Sequence, residues 1–303
     1  MHSFATLYSN NKMNLMNIPH NNAALPPTSN ATLATAHTTI DCPDPVALIY
    51  DGTIEGLMSA VFAAWELHHQ VEDVLSQEYG QIRLGQQVVV IETDFEKAQR
   101  VKAGLQRRCG VKTWRTIAQA ACADGADVGT IVYQAIRRLM GKNGAQALNE
   151  AADPTIAALL KLARHVEIET EHMRQFMRFS QADDGLWYAV CNPNASVVPL
   201  VMNFFAARFN TQRFIIYDEV HHLAGISEDG SWELVRINQL NVPAPNEHEA
   251  LMQDAWKRFY RSATIEARYH PELRRHFMPM RLWKHITELH ENVEERPSHQ
   301  RKE

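Results

Sequence analysis

The stretch Val46-Ala47-Leu48-Ile49-Tyr50-Asp51-Gly52-Thr53-Ile54-Glu55-Gly56 decides the fold class. Five apolar residues in a row, closed by an Asp-Gly pair, predict a buried strand that meets a turn. From Thr53 the period changes. Ile54, Leu57, Met58, Val61, Phe62 and Trp65 recur at helical spacing and mark one face of a helix. Working outward, Val88–Ile91 predicts a second strand, followed by a helical stretch from Asp94 to Arg108. Residues 112–176 look almost wholly helical, with a break at Gly141–Gly144. Asp153-Pro154 has the form of an N-cap followed by proline at the first helical position. Later segments turn β-like at 186–191, 213–217, 221–226 and 232–235, with a helix near 200–209 among them. Residues 247–290 are helical again, interrupted at Pro271 and Pro279. The expected fold is α+β and helix-rich, with a small β-sheet built from strands near the start and in the third quarter. Residues 45–303 are expected to form a single domain.

The chain has 303 residues, a net charge of −5 and 45% hydrophobic residues, which is enough apolar material for a core. The charge argues against a protein that coats nucleic acid with bulk positive charge, although a local basic face remains compatible with it. No apolar stretch approaches the roughly 20 residues needed to span a bilayer, so no membrane contact is expected. Cys42, Cys109, Cys122 and Cys191 form no CxxC pair. Zinc ribbons and cysteine-ligated clusters are therefore not expected, and a reducing cytoplasmic setting is. Residues 1–44, rich in Asn, Thr and Ala with Lys12 as the one cation, read as a disordered extension.

Among chemistry-bearing patterns, no GxSxG, P-loop, HExxH or strand-linked GxGxxG is present. His165, Glu169 and His172 share one helical face, but Glu167 and Glu171 crowd the same segment. Such a run is usually solvated, so no metal and no cofactor are expected. The doublets His68-His69 and His221-His222 aim adjacent side chains apart, which is poor chelation geometry. The tripeptide Ile-Tyr-Asp occurs twice, ending in Asp51 and in Asp218. If the two strands lie side by side, these carboxylates could face a common cleft as catalytic groups. The general preference of aspartate for caps and turns favours the other reading, in which Asp51 caps the following helix and Asp218 fixes a hairpin turn.

The C-terminal helices segregate charge. Between Leu251 and His290 there are eight basic and four acidic residues, in a chain that is acidic as a whole. Trp256, Phe259, Tyr260, Tyr269, Phe277 and Trp283 interleave with the cations. Arginine supplies bidentate phosphate contacts and aromatic rings stack on unpaired bases. The competing reading makes the rings core and the cations ordinary helix surface.

A set of ordered motifs carries a family resemblance. It opens with Tyr50-Asp51-Gly52-Thr53-Ile54-Glu55-Gly56 and continues through Met173–Phe179, Val198-Pro199-Leu200, Phe205–Phe209 and Ile216-Tyr217-Asp218. It ends on Phe277-Met278-Pro279-Met280-Arg281-Leu282-Trp283-Lys284. Together, over residues 46–290, these resemble a bacterial family of DNA metabolism proteins, a domain of unknown function. The resemblance implies a link to a radical-SAM protein of DNA repair or modification. Some family members are fused to a uracil-DNA-glycosylase-like domain; no glycosylase activity is expected of these 303 residues. The chain departs from the family pattern at Asn192-Pro193-Asn194-Ala195-Ser196, where an acidic-Pro-x-His-Asn-like run is expected. Any task carried by that histidine is lost here or met differently.

The expectation is thus a cytoplasmic DNA-metabolism accessory protein whose partners are nucleic acid and a radical-SAM protein. Its nucleic-acid contacts are expected from Arg174, Arg178, Lys257, Arg258, Arg261, Tyr269, Arg274, Arg275, Arg281, Trp283 and Lys284. Two alternatives stand beside it: an enzyme acting on a nucleobase or nucleotide through Asp51 and Asp218, and a protein-interaction adaptor. Whether the chain is an enzyme is left open. One prediction follows from the composition of the first 44 residues: a chain starting at Cys42 should keep the melting temperature of the full chain in a thermal scan. A loss of several degrees would show that the extension packs on the domain.

Overall fold

The computed structural model describes residues 45–67, 71–141, 148, 152–240, 247–265 and 270–289. The N-terminal extension, the His68-His69 doublet and Tyr269 lie outside them. The fold is α+β, as the alternation of periods predicted. The described chain divides into two compact units, one running to Thr170 with Asn194–Leu200, the other comprising Glu171–Pro193 and the residues from Val201. No helix among the described residues is long and apolar enough to cross a membrane.

The first unit is built on β1 (Val46–Tyr50), which lies between β2 (Val71–Ser76) and β3 (Gln87–Val90) with both pairings parallel. A parallel strand covered on both faces reads as an almost unbroken apolar run, and Val46, Ala47, Leu48 and Tyr50 are all buried. Helix α1 (Ile54–Glu66) follows at once, with Thr53 as its N-cap and the Thr53 hydroxyl accepting from the Gly56 amide. Helix α2 (Phe95–Ala121) carries a kink at Gly110, whose φ of +86° only glycine takes without strain. Helix α3 (Val128–Leu139) presses its first turn on β2: the Thr130 hydroxyl meets the backbone of Val74 from both sides. The first turns of α4 (Pro154–Phe176) complete this core with Ile156 and Leu159. The N-cap expected at Asp153 is present, its carboxylate accepting from the amides of Thr155 and Ile156.

The second unit centres on a five-stranded sheet ordered β4 (Ser180–Gln181), β5 (Trp187–Cys191), β6 (Phe214–Asp218), β7 (Leu223–Glu228), β8 (Ser231–Arg236). Only the β5–β6 pairing is parallel; the others are antiparallel. Helix α5 (Val198–Arg208) supplies Phe205, which joins Phe179, Phe209 and Phe214 in a cluster of edge-to-face and stacked rings. Such pairs contribute about 0.5–1.5 kcal/mol each beyond area burial. Helices α6 (Glu247–Ala263) and α7 (Pro271–Phe277) follow, then 3-10 turns at Met280–His285 and Thr287–Leu289. Pro271 opens α7 at its first turn and Pro279 precedes the 3-10 segment, so both prolines act where the sequence placed them.

The contact between α3 and β2 leaves no room for a side chain at Gly129, where a Cβ would collide with the Val74 carbonyl and the Tyr50 ring. Gly129→Ala should therefore destabilise the fold by about 1–3 kcal/mol, read as a lower denaturant midpoint at unchanged slope.

Candidate nucleic-acid interface and polar centres

The two Ile-Tyr-Asp strands do not lie side by side. β1 sits in the three-stranded sheet and β6 in the five-stranded one. Each aspartate instead organises its own strand end. The Asp51 carboxylate accepts from the Thr53 amide and hydroxyl at 2.9 and 2.6 Å, and from the Thr93 hydroxyl at 2.9 Å. It thereby supports the α1 cap and ties β1 to the segment that leaves β3. Gly56 is required beside it, since a Cβ there would collide with the same carboxylate and with Thr93.

Glu55, one residue into α1, is a group the sequence did not single out. It is 2% exposed and its Oε1 takes no hydrogen bond. Burial above all, with the Asp51 charge adding to it, pushes the carboxyl up to about 8, against partial relief from the Glu55 amide and Lys102. The buried Cys122 thiol is pushed up to about 12 by burial and then by Glu55. At neutral pH Glu55 is a neutral acid and Cys122 an unreactive thiol.

Asp218 ends β6, fully buried. Its Oδ1 accepts from the amides of Val220 and His221 at 2.9 and 3.1 Å, and its Oδ2 lies 2.5 Å from Nδ1 of His221. The carboxylate fixes the turn into β7, as expected of an aspartate there, and also orients an imidazole. Its neighbour Glu219 pairs with Lys284 and His285. Burial alone would raise the Glu219 carboxyl, but hydrogen bonds and charge from Lys284 and His285 outweigh it and hold it below the ordinary range. Opposite Asp218, Cys191 ends β5, its thiol raised well above the usual value by burial and then by the Asp218 and Glu219 charges. Asn192 follows and donates from Nδ2 to the Arg281 carbonyl at 3.1 Å.

The metal-like trio does not assemble. Glu169 is buried and accepts from the Asn194 amide at 3.1 Å, while Nε2 of His165 lies 3.4 Å from the Asn194 carbonyl. Among the described residues no group of three or more His, Cys, Asp and Glu side chains is placed to hold a metal ion.

The cationic candidates fall into two sets. Arg178 grips Glu288 with two nitrogens, at 3.3 and 2.7 Å, and Trp256 Nε1 donates to the same carboxylate at 3.0 Å. Burial raises the Glu288 carboxyl, and the bonds from Arg178 and Trp256 more than reverse the shift. Arg174 pairs with Glu171 and lies over the Phe204 ring, Lys284 is held by Glu219, and Arg274 lies 4.8 Å over the Trp283 ring. Trp283 donates to the Met278 carbonyl and is partly buried. These residues, with the partly buried Arg281, have partners within the protein. Lys257 is partly buried on α6, whereas Arg258, Arg261 and Arg275 are exposed, Arg258 with Asp254 beside it at 2.7 Å. Three rings stand out among them: Trp256, Phe259 and Phe277 are 42, 58 and 65% exposed. Trp256 and Phe259 lie next to each other, their centroids 5.6 Å apart. The reading of these rings as core does not hold for these three.

A sequence profile described as a domain of unknown function matches residues 126–288. No curated protein and no solved structure matches the chain.

The buried acid of α1 yields a pH prediction. Glu55 keeps its proton in the native state up to about pH 8, whereas the unfolded chain releases it near pH 4.3. Native stability therefore falls as pH rises between those two values and levels off above the upper one. Glu55→Gln should remove this loss. Its melting-temperature gain over wild type should be absent near pH 4, grow to pH 8, and reach on the order of a few kcal/mol in equivalent stability.

Proposed function

The chain belongs to the domain-of-unknown-function family DUF4130, and we propose that it is a DNA-metabolism accessory protein that contacts nucleic acid through the exposed face of α6 and α7. One observation carries the reading: Trp256, Phe259 and Phe277 turn large rings to solvent in a segment where Arg258, Arg261 and Arg275 are also exposed. Base–aromatic stacking contributes about 1–3 kcal/mol per base and tolerates any sequence, while guanidinium groups match phosphate oxygens in pairs. Bulk positive charge is unnecessary, because a local field is enough to hold a backbone. The resemblance in the ordered motifs supplies the DNA context and adds a radical-SAM enzyme of repair or modification as the protein it works beside.

Two variants separate stacking from charge. Arg261→Ala with Arg275→Ala should lower affinity for every single-stranded oligonucleotide tested and flatten the slope of log affinity against log salt by roughly 1.4 units. Phe259→Ala should weaken binding by about five- to 150-fold while leaving that slope intact. Fluorescence anisotropy with a labelled oligonucleotide reads both. Unchanged affinity and slope in folded variants would refute the reading. Binding of a protein partner in place of DNA would assign the face to a docking role.

A further inference from the structure

The parallel strands β5 and β6 end side by side, Cys191 in register with Asp218, and the chain continues from them as Asn192 and Glu219. Three segments that are distant in sequence meet at this edge: Asn192, the turn Asp218–His221, and the 3-10 segment with Arg281, Lys284 and His285. Carboxyl ends of parallel strands are where open sheets present groups to ligands. Here most polar atoms are already satisfied by one another. Asp218 accepts from two amides and meets Nδ1 of His221, and Glu219 meets Lys284 and His285 through Oε1.

The Asn192 amide is different. Its Nδ2 is committed to the Arg281 carbonyl, which fixes the orientation of the group, and its Oδ1 is buried yet accepts nothing. A buried acceptor without a donor costs free energy that a bound N–H or O–H would recover. The acceptor is held rigidly, since the residue before it belongs to β5 and the one after it is Pro193. We propose that this edge binds a nucleobase, with Asn192 Oδ1 accepting an N–H of the base and the Asp218–His221 pair forming the adjoining wall. A base presents N–H donors on its edge, and no anion would face a lone carbonyl acceptor. The choice of a base over other N–H ligands rests on the reading of the protein as a nucleic-acid binder; the residues of this site are not those of the α6–α7 face.

The test uses the full chain and the four deoxynucleoside 5′-monophosphates. Calorimetry gives affinity, and NMR follows the Asn192 side-chain amide and the His221 ring. At least one nucleotide should bind and move both sets of resonances. Asn192→Leu should weaken that nucleotide by about tenfold or more, while oligonucleotide affinity on the α6–α7 face changes less than twofold. If Asn192→Leu does not fold, the shift of the wild-type Asn192 amide decides by itself. The proposal is overturned if no nucleotide at millimolar concentration perturbs Asn192, or if a folded Asn192→Leu protein binds as well as wild type. Mononucleotide binding that survives while Phe259→Ala leaves oligonucleotide affinity unchanged would support this site and reject the α6–α7 face.

Discussion

The first unit depends on how its central strand ends, and the Asp51 carboxylate organises that end. Thr53 and Thr93 approach it from the two segments that flank the end of β1. The Thr53 hydroxyl, having donated to Asp51, accepts from Gly56 and starts α1. One carboxylate thus couples the exit of the central strand to the first turn of a helix and to the loop after β3. The glycine at 56 and the burial of Glu55 follow from the same crowding. A longer side chain has no space on that turn, and the acid beside it is sealed from water.

The second unit solves a different problem. Helices α6 and α7 bury few apolar side chains, and polar groups hold the 3-10 segments that follow them. Glu288 receives Arg178 and Trp256, Glu219 receives Lys284 and His285, and the Arg281 carbonyl receives Asn192. Below these bonds Leu282 and Ile286 are the buried anchors. Removing one partner from such a cluster leaves a buried charge uncompensated, which costs far more than an exposed pair contributes. The division of labour is clear in the arginines: Arg178 holds the structure together, while Arg275 faces water.

Much of the fold was legible in the sequence. The apolar run at Val46, the capping pattern at Asp153-Pro154 and the punctuation by Pro271 and Pro279 all act locally, where propensity and spacing decide. β2 was missed because Glu72 and Asp73 interrupt its apolar run. Asp73 is nonetheless buried, its charge met by Arg83 at 3.0 Å and Gln86 at 2.6 Å from beyond the strand. That compensation is tertiary and leaves no local signal. His221 was passed over as half of a poor chelating doublet, although Asp218-x-x-His221 already carried the spacing of a turn that brings the two together. Glu55 was not singled out, because an acid in a first helical turn gives no local sign of burial. The exposure of individual C-terminal rings was not legible either, since helical spacing alone does not say which face finds a core.

The burial of Glu288 has an electrostatic consequence. Its side chain is 5% exposed against Arg178, so mobile ions do not enter between the two charges. At physiological ionic strength the screening length is about 8 Å, and it acts on charges that water can reach. Adding salt therefore mutes the field of Arg258, Arg261 and Arg275 while the Arg178–Glu288 pair keeps its strength. The second unit thus carries two electrostatic systems, one tuned by the surrounding electrolyte and one insulated from it.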